Sequence, residues 1–340
     1  MTAAPLPAPA PASWAARAST WLILIALIVA IGLSAEYAGL VTQRRAILGL
    51  IDLVAVVALY IFMGNSGVMN FGSVAFMAIG AYASTLTTLS PAAKHTFLPD
   101  LPAWLAATHL PALSGPFVGA SVAGAVALAL GWPIMRLSGI GAAIATLSLL
   151  IIVYIVLGNW NSVTGGQQSL MGLPNYVGLV TSTLFAVGAV SVAFLYQETR
   201  FALALRASRE DEVAARASGV AVERQRLIAF ALSSAVSGAA GALYANFLGT
   251  LRIESFYLDM TFQFLSMLVV GGMRSLTGAV TGAIGMALLA EGLRLSEGSF
   301  TPPGLGDVAL AAVMLLILIF RPQGLSGGRE IGELFYGRRG

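Results

Sequence analysis

Apolar residues in this 340-residue chain run in unbroken blocks, without the alternation of a strand or the single stripe of a soluble helix. Windows of about 19 residues place ten hydrophobic spans. They lie near 20–38, 46–63, 68–89, 113–134, 139–158, 176–196, 227–248, 257–273, 277–293 and 304–320. Runs of about 20 apolar residues match a hydrocarbon core roughly 30 Å thick. The third and eighth spans are rich in glycine and polar side chains, and either has room for a broken or re-entrant piece. Non-helical backbone at that depth survives only where protein or a water-filled cavity covers it.

Composition agrees: 58% of residues are hydrophobic, 10% are charged and the mean hydropathy is +0.86. Soluble domains carry about 25% charge. A membrane β-barrel would show alternating segments of about ten residues, and these blocks are continuous. The fold class expected is therefore all-α, a polytopic transmembrane bundle of about ten spans. The expected organisation is a disordered Pro/Ala-rich segment over 1–19, six spans over 20–196, a polar loop over 197–226, four spans over 227–320 and a tail over 321–340. The apolar run after Arg17 has some features of a signal peptide but suits a retained first span better.

Orientation follows from the basic residues. With the N-terminus cytoplasmic, Arg17, Arg136, Arg200, Arg206, Arg209, Arg216, Arg224, Arg226, Arg274, Arg321, Arg329, Arg338 and Arg339 fall inside. Arg44, Arg45, Lys94, Arg252 and Arg294 fall outside. The positive-inside bias thus puts both termini and the 197–226 loop in the cytoplasm. An offset of 205 aligns Gly67 with Gly272, Ala78 with Ala283, Ile79 with Ile284 and Gly80 with Gly285. Four matches in such Gly/Ala-rich text establish no repeat.

Charge gathers in one place. Between Glu198 and Arg226 lie Glu198, Arg200, Arg206, Arg209, Glu210, Asp211, Glu212, Arg216, Glu223, Arg224 and Arg226. Ser208 is placed to cap a helix start, with Asp211 where a capping box prefers Glu. Three acids in a first turn suit the positive end of the helix dipole. Ala214, Ala215, Ala217 and Ser218 are small, and Gly219 is a natural stop. The spacing predicts a helix of about three turns over 208–219. One reading is a solvated connection between spans; the other is a docking element, since small residues allow another surface to come close.

Here the chain resembles a known family. "LALRASREDEVAARASGVAVERQRLIAFALSSAVSGAAGALYA" is similar to the cytoplasmic loop and following helix of LivM-like permeases, of the branched-chain (hydrophobic) amino-acid ABC importer family. Ala214, Ala215 and Gly219 hold the spacing of the permease "EAA…G" motif, with Glu212 as its acid one place early. Four further segments agree in order. "GVMNFGSVAFMAIGAYAS" resembles "GLLNLGHAAFFGIGAY", and "TGGQQSLMGLP" resembles "TGG…GL.GIP". "MLVVGGMRSLTGAVTGA" resembles "VVLGGLGSLWGPVLGA", and "FRPQGL" resembles "FRPRGL". The resemblance covers roughly 45–325 and implies an ABC importer permease fold with a short cytoplasmic coupling helix.

It further implies that Ser208, Arg209, Glu210, Asp211, Glu212, Ala214, Ala215, Arg216, Ser218 and Gly219 dock on an ATPase. Implied partners are a second, LivH-like permease, two ABC ATPase subunits and a periplasmic or extracellular solute-binding protein. Membrane lipids surround the complex and nucleic acid has no part in it. The location implied is the bacterial plasma (inner) membrane. The solute would be a branched-chain or hydrophobic amino acid or a related small solute. The Gln167-Gln168 pair departs from the family's usual residues after "TGG", and the solute stays open.

The chain has one lysine, Lys94, followed by His95, so no phosphate-binding G-x-x-x-x-G-K-[ST] loop exists. ATP and Mg would belong to partner subunits, and no cofactor, metal site or enzymatic chemistry is expected in this chain. His95 and His109 read as ordinary loop residues. For the solute path, Asn65, Asn70 and Ser73 lie in a Gly-punctuated segment that could equally be tight helix packing. Asp52 is a costly acid within a span, either a pathway group or one paired with Arg44 or Arg45. Thr164, Gly165, Gly166, Gln167 and Gln168 form an external loop that could receive solute or a binding protein. The alternative is an ion- or proton-coupled secondary carrier or channel acting alone.

Overall fold

The computed structural model describes residues 14–37 and 39–300, then 312, 314–317, 319–321, 323–328 and 330–332. The Pro/Ala-rich start and much of the tenth expected span lie outside the described residues. The helices are α1 (Trp14–Glu36), α2 (Leu40–Ser66), α3 (Ser73–Thr88), α4 (Pro91–Phe97), α5 (Ala103–Ala106), α6 (Gly115–Ile134) and α7 (Ile140–Asn159). They continue as α8 (Asn161–Thr164), α9 (Leu179–Gln197), α10 (Arg200–Glu210), α11 (Glu212–Ala217), α12 (Val222–Leu248), α13 (Leu258–Gly271) and α14 (Leu276–Phe300). A two-residue antiparallel pair, β1 (Leu170–Met171) with β2 (Thr250–Leu251), joins two connections.

Among the described residues, eight helical segments are long and apolar enough to span a membrane, nine if α3 and α4 count as one bent unit. The fold class is the expected all-helical bundle, with one local difference. The third expected span is a 16-residue helix that turns through 119° into α4. Pro91 and Ser90, whose side chain accepts from the Ala93 amide, start the new helix where the old one stops. The eighth expected span has a 3₁₀ turn at Ile253–Ser255 ahead of α13.

Contacts between remote residues sort the helix ends onto two faces. On the proximal face, where α1 begins, Arg209 reaches the Gly64 carbonyl and Tyr60 the Gln197 side chain. Arg274 pairs there with Glu210, and the Gly332 amide donates to Thr20. On the distal face Arg45 pairs with Glu291, and β1 joins β2. Consecutive long helices therefore alternate in direction.

Two helices organise the bundle. α2 and α12 each have 27 residues and each ends on a left-handed glycine, Gly67 (φ 70°) and Gly249 (φ 69°). They run in opposite directions and pack on each other. α12 also packs against α3 and α6, while α2 packs against α13 and α14. α2 and α12 thus hold matching, oppositely directed places in the bundle, at an offset of 182 rather than 205. Gln43/Gln225, Arg44/Arg226 and Gly67/Gly249 are among its identities. Packing makes this visible, because the matches are diluted among interchangeable Ala, Leu and Val.

Glycine sets how closely these helices approach. A Cβ on Gly241 of α12 would stand 1.8 Å from the Met77 carbonyl oxygen of α3, and one on Gly80 would stand 2.3 Å from that of Gly238. A Cβ on Gly271 of α13 would lie 1.9 Å from the Gly278 oxygen of α14. Real Cβ atoms do not sit that close to backbone, so these glycines are obligatory. Gly241→Ala is expected to lower the melting temperature of the detergent-solubilised protein by several degrees, consistent with an overpacking cost of about 1–3 kcal/mol. Gly188→Ala, where a Cβ meets nothing within 4 Å, should leave the melting temperature unchanged.

Candidate functional site

The proximal face carries a polar knob built from α10 and α11. The helix break sits three residues beyond its expected start. Ser208 lies inside α10, with its hydroxyl donating to the Leu205 carbonyl. Asp211 is the residue that caps α11, its carboxylate accepting from the Val213 and Ala214 amides at 2.9 and 3.0 Å. The expected three-turn helix over 208–219 is thus a six-residue helix after a sharp corner. Aspartate caps more strongly here because its short acceptor reaches two free amides at once. Gly219 follows with φ 84°, the expected stop.

Beneath α11 lies an ionic clasp. Glu212 accepts from Arg216 at 2.8 Å and from Arg226 at 2.7 Å, and Arg216 also pairs with Glu223 at 2.6 Å. Arg226 is buried at the start of α12, and Glu212 is its one carboxylate partner among the described residues. Hydrogen bonds from Arg216 and then Arg226 hold the Glu212 carboxyl below the ordinary glutamate value of 4.5, against the opposing effect of burial. α10 is tied down separately. The Arg209 guanidinium donates to the Gly64 carbonyl at 2.6 Å, and Arg206 to that of Gln197. Glu210 bridges Arg209 and Arg274, both at 3.0 Å.

What remains free is the top of the knob. Val213 is 79% exposed, and Ala214, Arg216, Ala217, Ser218 and Gly219 are exposed beside it, whereas Ala215 points inward. A small, mostly uncharged summit stands on a charged base anchored to α2, α9, α12 and the α13–α14 turn. Such an element suits docking into a shallow recess and passing displacement to these four anchor points.

The family model for the branched-chain amino acid transport system permease component matches residues 41–318. The chain belongs to that family. It is a permease component of a branched-chain amino acid ABC transport system, a transporter subunit and not itself an enzyme. The permease is 29% identical to the high-affinity branched-chain amino acid transport system permease protein LivM of Escherichia coli K12, over 89% of this chain and 74% of that protein. It is 26% identical to LivH of the same organism, over 80% of this chain and 89% of that one. The probable LivH of Methanocaldococcus jannaschii is likewise 26% identical, over 77% and 84%. No solved structure matches the chain.

The other residues singled out from sequence take distinct places in the permease. Asn65, Asn70 and Ser73 are buried at the proximal break between α2 and α3. Asn65 donates to the Ile61 carbonyl, and Asn70 accepts from the Gly72 amide. Ser73 meets Ser237 of α12 at 2.9 Å. Asn65 Oδ1 and Asn70 Nδ2 have no hydrogen-bond partner among the described residues. Asp52 is half-buried and makes no ion pair among the described residues; Arg45, two turns away, pairs with Glu291 instead. Thr164 donates to the Leu157 and Trp160 carbonyls, and Gly165 and Gly166 turn at φ 71° and 65°. Gln167 and Gln168 are exposed beyond that turn on the distal face.

Sequence reading missed Lys94. Its ammonium is buried and donates to the carbonyls of Leu105 and Thr108, tying α4 to the end of α5. Its being the one lysine was the available signal. No group of three His, Asp or Glu among the described residues could hold a metal.

Glu212→Gln should free α11 while leaving the bundle intact. Hydrogen exchange of amides 214–220 is expected to speed roughly tenfold or more, since a buried guanidinium left without its carboxylate costs about 1–3 kcal/mol. The same linkage sets the pH dependence. A carboxylate with a depressed value stabilises above the ordinary 4.5 and loses that contribution as pH falls through its lower folded value. Protection of amides 214–220, the intrinsic exchange rate relative to the observed rate at the same pH, should therefore be flat above pH 4.5 and fall below it.

Proposed function

We propose that this permease works as one of two membrane subunits, with the summit of α11 as the seat of an ATPase. The single observation that carries the reading is an exposed Val213–Ala214–Ala217 surface on a base pinned to α2, α9, α12 and α13–α14. The proximal face is the cytoplasmic one. Arg136, Arg200, Arg206, Arg209, Arg216, Arg224, Arg226 and Arg274 gather there, as the positive-inside rule requires. Both termini and the 197–226 loop then lie in the cytoplasm of a bacterial cell, between the first six spans and the last four.

The second permease is of the LivH kind, a family this chain resembles over most of its length. Two ATPase subunits bind below, and a binding protein delivers the solute to the distal face, where Gln167 and Gln168 are displayed. ATP and Mg stay on the ATPases. The solute is a branched-chain amino acid or a close analogue.

The test is a charge placed on the summit. Val213→Asp and Ala214→Arg change only exposed positions and should leave the melting temperature within a degree or two. Each should abolish co-purification of the ATPase and ATP-driven uptake of L-leucine by the whole complex in proteoliposomes. ATPase that co-purifies undiminished with both variants would sink the docking assignment.

A further inference from the structure

The outward faces of the long helices are not alike. α9 exposes Val180, Leu184, Val192 and Leu195, and α6 exposes Phe117, Val122, Leu128 and Leu130, side chains at home in lipid. α13 differs. Its packed side carries Met260, Phe264, Met267 and Leu268. Its outward side carries Asp259, Phe262 and Gln263, all exposed, followed by half-exposed Ser266. Asp259, Gln263 and Ser266 stand four and three residues apart, so they share one helix face. None makes a hydrogen bond or ion pair among the described residues.

Asp259 alone would be unremarkable, because an acid in a first helical turn is favoured by the dipole. Gln263 is the informative residue. It lies roughly 8 Å along the axis from the distal end of α13, inside a segment with the hydropathy of a membrane span. An amide facing hydrocarbon there would have no partner. Two further observations show where the face leads. On one flank Phe262 meets Phe71, edge to face at 6.3 Å, beside the break that precedes α3. Towards the proximal end the face continues through Val269 and Met273 into a cleft of about 330 Å³ with Arg274 and Gln323 in its wall. An acid at the distal end, an amide and a hydroxyl within and aromatic rings alongside describe a path for a polar head group with an apolar side chain.

We propose that the outward face of α13, from Asp259 through Gln263 to Ser266, is this subunit's wall of the translocation path. Gln263 is the polar contact of the passing amino acid, and Phe262 with Phe71 is the contact of its side chain. This rests on the two-permease reading above, since the second subunit closes the open side. It assigns the path to residues other than the buried Asn65, Asn70 and Ser73.

The chain contains no cysteine, so single introduced thiols report accessibility. Gln263→Cys and Ser266→Cys, in the assembled complex in membranes, should react with a charged, membrane-impermeant thiol reagent at least tenfold faster than Leu184→Cys or Leu128→Cys. Modification of Gln263→Cys should then block uptake of L-leucine. Thiols at 263 and 266 no faster than the two controls, in a complex that retains its ATPase, would mean that lipid or a dry subunit contact covers the face, and would overturn the assignment. Undiminished uptake after complete modification at 263 would overturn it too. Loss of the ATPase, or no leucine uptake before modification, counts against the functional reading instead, and thiol accessibility still decides the path.

Discussion

Inside a bilayer, the tails surrounding a helix are as apolar as leucine, so helices gain little by hiding hydrophobic side chains from lipid. What remains is contact at close range. In this permease that contact is made backbone to backbone, through Gly80, Gly119, Gly238 and Gly241 where α3, α6 and α12 meet, and through Gly271, Gly278 and Gly282 between α13 and α14. At such distances dispersion is near its optimum, and no side chain intervenes to soften the contact. The two glycine-lined junctions are the tightest helix contacts among the described residues, one built on α12 and the other beside α2.

The central places of α2 and α12 give that close packing a mechanical meaning. α12 packs against α3 and α6, α2 packs against α9, α13 and α14, and the two pack against each other. A displacement of one therefore carries helices of both halves. The proximal face is where such a displacement can be applied. Arg209 holds the end of α2, Glu212 holds the start of α12 through Arg226, and Glu210 reaches the α13–α14 turn through Arg274. That turn is also held from the C-terminal side. The Leu325 and Ser326 amides donate to the Val270 and Gly271 carbonyls, and the Glu330 carboxylate caps the first amides of α14 at Leu276 and Thr277. One small exposed summit is thus linked, by charge-assisted bonds of 2.6–3.0 Å, to every junction the glycines make close.

Polar groups in the bundle fall into two kinds. Ser233 donates to the Ala58 carbonyl, Ser73 meets Ser237, and Asn246 donates to Ser84. These cross-helix bonds fix register where helices already touch. Asp259, Gln263 and Ser266 of α13 make no such bonds among the described residues and lie on its outward face. The distinction matters because an importer must present polar contacts to its solute without letting them be satisfied by its own neighbours.

Much was legible from the chain alone. Continuous apolar runs demand helices in lipid whatever their partners, the arginines mark one set of helix ends, and the cluster from Glu198 to Arg226 marks where the chain leaves the membrane. Gly219 stops its helix because a left-handed residue is a local requirement. Only the tertiary structure could decide the rest, since it depends on what lies across a contact. Ser208 and Asp211 are both good caps, and the choice was made by α10 continuing to Glu210 so that Arg209 reaches Gly64. Lys94 needed the carbonyls of Leu105 and Thr108, and the central pairing of α2 with α12 needed the two helices side by side. A glutamine in a span reads the same whether it faces a neighbour or an open path, and the direction of Gln263 is set by which side of α13 packs on α14.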